Sequence, residues 1–184
     1  MPTMSVFGNR TSMVGLASSG EQICHRLEGL RKRGESFENL LSAAVEYLHN
    51  SNSRFHWTGI YELFPDNFLR LGPFIGAPTD HVFICVGQGV CGTAVAEERN
   101  INVPDVSKAA NYLPCSSATK SELVILIRKG STIFAQIDID SHELNAFDPS
   151  TVAQVEKVAD WLATLYQQHR GATRTIGGPA SSEP

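Results

Sequence analysis

The residues of this chain best suited to chemistry are four thiols and three acids. The thiols are Cys24, Cys85, Cys91 and Cys115. They form no Cys-x-x-Cys pair and none of the spacings of a zinc ribbon or finger, and in a reducing compartment an even number does not imply structural disulfides. Each must be judged by its surroundings. Cys115 falls in the polar, irregular stretch from Lys108 to Ser117, which suits a partly exposed reactive thiol; the residues alone also fit an inert loop cysteine. Cys91 stands between Gly89 and Gly92 at or just before a helix start, a setting favourable to a thiolate or a mobile thiol. Cys85, beside Ile84 and Val86, reads as a core residue, and Cys24 as an uninvolved helix residue.

The acids are Glu122, Asp138 and Asp140, set within or at the ends of apolar runs where an unpaired carboxylate is costly to bury. Two residues apart on a strand, Asp138 and Asp140 share a face, so repulsion and desolvation would raise the pKa of at least one. A protonated carboxyl could then donate to a bound oxygen while an ionised neighbour held an ammonium group. Solvent-facing acids at strand ends are the alternative that spacing leaves open. Trp57 and Tyr61, four residues apart, share a strand face and form an aromatic wall, as core or as pocket. His81 and Cys85 also share a face, but His-x3-Cys on a strand spans ~13 Å and cannot grip one metal ion. No metal and no cofactor are expected.

These residues need elements to hold them. Ile23, Leu27 and Leu30, then Phe37, Leu40, Leu41, Ala44, Val45 and Leu48 behind a Ser36 cap, recur at helical spacing. Arg54 to Leu63 alternates as a strand, Pro65-Asp66-Asn67 turns it, and Phe68 to Pro73 is its hairpin partner. His81 to Val86 reads as a third strand, Gly92 to Glu98 as a short helix, and Val103-Pro104-Asp105 as the end of a short strand. Glu122–Arg128 and Thr132–Ile139 make a central hairpin around Lys129-Gly130. Asp148 caps a closing helix with Pro149 in its first turn and Val152, Val155, Ala159, Leu162 and Tyr166 on one face. Helices at both ends of a strand-rich middle predict an α+β fold, an antiparallel sheet with the terminal helices packed on one face.

The 184 residues, 42% of them hydrophobic, suffice for one core and are few for two domains. The expected division is a flexible N-terminus over 1–20, one domain over 21–170, and a disordered tail over 171–184, rich in Gly, Ser, Thr and Pro. A net charge of −4 from 15 basic and 19 acidic residues leaves no electrostatic footprint for nucleic acid. Arg31, Lys32 and Arg33 beside Glu28 and Glu35 read as a solvated helix end. No apolar run approaches the ~20 residues of a membrane span, and no secretory signal opens the chain. A cytoplasmic location is expected, without a membrane partner.

Six stretches in order over about half of the chain resemble one family: Trp57-Thr58-Gly59-Ile60-Tyr61, Leu71-Gly72-Pro73-Phe74, Gly89-Val90-Cys91-Gly92-Thr93-Ala94, Val103-Pro104-Asp105-Val106, Cys115-Ser116-Ser117-Ala118 with Ser121-Glu122-Leu123, and Ile137-Asp138-Ile139-Asp140-Ser141. The family is that of the free methionine-R-sulfoxide reductases, stand-alone GAF domains. The resemblance implies a GAF-like sheet, Cys115 as catalytic thiol, Cys91 as resolving thiol, and Trp57, Tyr61, Glu122, Asp138 and Asp140 as the pocket for free methionine sulfoxide. It also implies recycling by a thioredoxin-like reductant. The family's commonest pattern has a further cysteine where His81 stands, so His81 either fills that place or assists proton transfer. Before and after the catalytic cysteine the family usually has Gly-His-Ile-Ala and Asp, where this chain has Tyr112, Leu113, Pro114 and Ser116. A GAF module that senses a small ligand without turnover is the competing reading. A homodimer through the terminal helices is compatible with either.

Overall fold

The computed structural model describes residues 19–109 and 117–176. Two helices open the fold, α1 (Gly20–Lys32) and α2 (Phe37–His49). Ser19 and Ser36 each accept a hydrogen bond from the backbone three residues on, at Gln22 and Asn39, supplying partners for donors that a helix N-terminus leaves orphaned. Strands β1 (Trp57–Leu63), β2 (Phe68–Ile75) and β3 (Phe83–Cys85) follow, then helix α3 (Gly89–Ala96), strand β4 (Ile101–Val103) and a 3-10 turn at Val106–Lys108. The long hairpin of β5 (Ser121–Lys129) and β6 (Thr132–Ser141) leads to α4 (Pro149–Ile176), where the Thr151 amide donates to Asp148. All pairings are antiparallel, in the order β3-β2-β1-β6-β5-β4. Among the described residues no helix is long and apolar enough to cross a membrane.

The sheet is covered on both faces, which is why β5 and β6 are apolar almost throughout. On one face Ile60, Leu123, Ile125, Ile127, Ile137 and Ile139 pack under α1, α2 and α4. On the other, Trp57, Tyr61, Leu69, Ile84, Val124 and Leu126 pack under Val90, Cys91, Ala94 and Val95 of α3. Alternation along each strand deals its side chains between these two cores. α3 lies very close to the end of β3. A Cβ on Gly92 would collide with the Cys85 carbonyl oxygen, while the Gly87 amide donates to the Gly92 carbonyl at 2.8 Å.

The structure corrects three expectations. Cys85 is exposed rather than in the core. β3 is an edge strand, and Cys85 shares with Phe83 the face that the helices do not reach, whereas Ile84 between them is buried. Cys91 is the third residue of α3 rather than its predecessor, because the helix begins at Gly89, whose φ of 63° demands a glycine. α4 runs on to Ile176, into the stretch expected to be a disordered tail from Gly171. A glycine costs a helix about 1 kcal/mol, which extension of an anchored helix tolerates.

Because backbone, not a flexible side chain, fills the space at Gly92, Gly92→Ala should lower stability by about 1–3 kcal/mol and unseat α3. Denaturant unfolding checks the first effect, and faster hydrogen exchange at Cys91 and Gly92 the second.

Candidate active site

The face of the sheet beneath α3 carries the polar residues. Cross-strand partners share a face, and the register stacks three rows across β1, β6 and β5. They are Trp57–Asp140–Glu122, Gly59–Asp138–Val124 and Tyr61–Gln136–Leu126. Four of the five residues expected to form the pocket are thus placed by two rows, and Tyr61 by the third. Gln136 was not anticipated. The signal was present, since alternation carries the face of Asp140 and Asp138 back to it.

Trp57 is held by three neighbours. Its indole nitrogen donates to the Ala77 carbonyl at 3.1 Å, and its ring stacks on Phe74 at 5.6 Å and lies 6.2 Å from Tyr61. The ring fills the space that side chains at Gly59 and Gly76 would occupy, so both glycines are needed for it to lie flat on the sheet. Tyr61 is fully buried and donates its hydroxyl to the His81 carbonyl at 2.8 Å. It therefore ties the segment before β3 to the sheet centre. His81 meets this site through its backbone.

Glu122, Asp138 and Asp140 are 4%, 0% and 2% exposed. Among the described residues none of the ion pairs reaches them. Among the described residues both oxygens of Asp138 and one of Asp140 lack a hydrogen-bond partner. Burial, joined by the charges of Asp138 and Asp140, holds Glu122 well above the usual carboxylate range. Burial, opposed in part by the nearby Cys91 thiol, pushes Asp138 up to about 7, and burial with the Asp138 charge raises Asp140. These shifts follow from desolvation and like-charge repulsion. The site in isolation thus holds protons.

α3 brings Cys91 onto the acids. Its thiol donates to Glu122 Oε1 at 3.9 Å, and ligand atoms of Cys91, Glu122 and Asp138 all lie within 4.8 Å of one another. A proton, an ammonium group or a metal ion would each relieve that crowding. Cys24, half-buried on α1, points its thiol at the Lys157 carbonyl, away from this site. Cys115, expected as the attacking thiol, lies outside the described residues.

The GAF domain family matches residues 36–165. GAF domain-containing protein A of Dictyostelium discoideum is 38% identical over 128 residues, 70% of this chain and 80% of that protein. The free methionine-R-sulfoxide reductase of Escherichia coli is 35% identical over 130 residues, 67% of this chain and 78% of that one. Among solved structures, the free methionine-R-sulfoxide reductase of Neisseria meningitidis in complex with its substrate superposes with a TM-score of 0.76 at 25% identity, covering 83% of this chain and 91% of that one. A family match over most of the chain, with relatives of this identity and coverage, shows that the chain belongs to the GAF family, among its free methionine-R-sulfoxide reductases.

Proposed function

We propose that this chain reduces free methionine-R-sulfoxide to methionine by thiol chemistry, with Cys115 attacking and Cys91 resolving. The observation that carries the reading is the set of three buried carboxylates, without a cationic partner among the described residues, packed against Cys91 and flanked by the Trp57 ring. Such a set suits a small zwitterion that brings its own ammonium group and an oxygen in need of protons. The Escherichia coli relative is named for this activity, and the Neisseria meningitidis structure holds its substrate.

In this scheme the Cys115 thiolate attacks the sulfoxide sulfur, and Asp138 or Glu122, kept protonated by burial, gives a proton to the oxygen as it leaves sulfur. The oxygen ends on Cys115 as a sulfenic acid, and methionine is released. The two electrons come from the Cys115 sulfur. Cys91 then attacks that sulfenic sulfur, and its proton passes to whichever carboxylate, Asp138 or Glu122, the first step left ionised; both lie beside its thiol. The departing hydroxyl takes that proton from the carboxyl, so water leaves and a Cys91–Cys115 disulfide forms. A thioredoxin-like dithiol returns both thiols, which requires a reducing compartment such as the expected cytoplasm. Closing the bond requires the two Cα atoms within about 7 Å.

Three outcomes follow. Cys115→Ser should abolish turnover, and Cys91→Ser should release about one methionine per chain and then stall, while Cys24→Ser and Cys85→Ser keep most activity. NADPH consumption coupled through thioredoxin and thioredoxin reductase measures this. Normal cycling of Cys91→Ser, or a mapped Cys85–Cys115 bond, would overturn the resolving role.

Peptide-bound methionine sulfoxide should be reduced ten- to a hundredfold less efficiently than the free amino acid. It lacks the ammonium group, and a hydrogen bond to a charged group contributes about 1.5–3 kcal/mol. Equal kcat/KM values for the two would remove the ammonium from the roles of Glu122, Asp138 and Asp140.

Stability of the ligand-free protein should fall with rising pH. Asp138 keeps its proton in the fold up to about pH 7, whereas the unfolded carboxyl loses it near pH 4. The folded state binds more protons between those values, so its advantage is complete below about pH 4 and gone above about pH 7. Thermal unfolding between pH 4.5 and 8 should show this slope, and Asp138→Asn should reduce it, the raised Glu122 and Asp140 carboxyls keeping the remainder.

A further inference from the structure

We propose that Gln136 is a positioning residue for Asp138: its side-chain amide donates to one oxygen of the Asp138 carboxyl and leaves the other to face the bound substrate. This role rests on the reductase reading for its catalytic consequence, though not for the contact itself.

Gln136 is 0% exposed, and among the described residues neither its amide nitrogen nor its amide oxygen has a hydrogen-bond partner. A fully buried primary amide without partners is costly, so a residue of this kind has a partner in the working state. Its surroundings on this face are apolar. Tyr61 and Leu126 flank it across β1 and β5, and Leu69, Ile84, Ala94 and Val95 belong to the same core.

On its own strand and face the next residue is Asp138, two positions along β6, and both its oxygens are without a partner among the described residues. Same-face strand neighbours stand about 7 Å apart, a gap that the glutamine and aspartate side chains span with one hydrogen bond after rotation about the glutamine torsions. One contact would satisfy an amide donor and a carboxylate acceptor together. It would also break the symmetry of the carboxyl. The oxygen toward Gln136 accepts, so the proton resides on the other, on the side of Cys91 and Glu122.

Among the described residues four titratable groups share the surroundings of Asp138. Asp140 is on its own strand, Glu122 on β5, Cys91 on α3 and Tyr61 on β1. The charges of Asp138 and Asp140 raise Glu122, that of Asp138 raises Asp140, and the Cys91 thiol lowers Asp138 against the effect of its burial. Gln136 is the neutral donor in this group. Hydrogen bonding to the ionised form lowers a pKa, so loss of the amide should raise that of Asp138 further.

The experiment compares wild type with Gln136→Met, which keeps length and loses the amide, and Gln136→Asn, which keeps the amide and loses reach. Carboxyl carbon NMR on the ligand-free reduced protein follows the Asp138 titration, assigned by its absence in Asp138→Asn. Both variants should move that titration upward by about one pH unit. In turnover of free methionine sulfoxide, kcat should fall about tenfold with KM little changed, and the alkaline limb of the pH profile should move up with the NMR titration. An unshifted titration in folded Gln136→Met overturns the proposal, whatever the activity. A shifted titration in a protein that reduces no sulfoxide keeps the contact and removes the reductase reading instead. If Gln136→Met does not fold, the Gln136→Asn titration decides alone.

Discussion

Three carboxylates taken out of water onto one sheet face repel one another and have lost the solvent that would have screened them. Each must hold a proton or meet a cation. That constraint sets what the site can do: with its protons it is an acid for a leaving oxygen, and with an ammonium group it is a receptor. The same carboxylates can alternate between the two states as substrate enters and leaves. The sheet tolerates this because Glu122, Asp138 and Asp140 are carried by its central hairpin, whose opposite face is anchored by a dense aliphatic core.

The thiol chemistry depends on the same crowding. A helix of eight residues, Gly89–Ala96, is seated so close to β3 that only glycine fits at Gly92. The seat delivers Cys91 to Glu122. In the proposed scheme Cys91 needs a base at the moment it attacks, and a carboxylate that has just given its proton to the departing oxygen is such a base. Acid and base duties would then be exchanged within one cluster. The His81 backbone is held by Tyr61.

Trp57 shows how the fold spends its glycines. Gly59 and Gly76 vacate the space in which the indole lies, and Phe74 and the Ala77 carbonyl fix it from the other side. A rigid aromatic surface beside buried acids suits a ligand with an apolar methyl end and a charged end. Rigidity matters because burial of the acids holds only while water is kept out.

The sequence by itself determined the helices, the hairpins and the α+β arrangement, because caps, turns and apolar periodicity are local signals that act within a few residues. It also determined that Asp138 and Asp140 share a face, since alternation is a property of any strand. Only the tertiary structure decided that this face is buried rather than solvated, because a covering helix from a distant part of the chain supplies the burial. The sequence misplaced Cys85 for the complementary reason: an apolar neighbourhood in sequence does not reveal that β3 is an edge strand with one uncovered face. Gln136 passed unnoticed although alternation along β6 puts it on the face of Asp138 and Asp140, because that face reveals its burial only once α3 covers it. Cross-strand register then sets which residues of β1 and β5 flank it, and no single strand encodes that pairing.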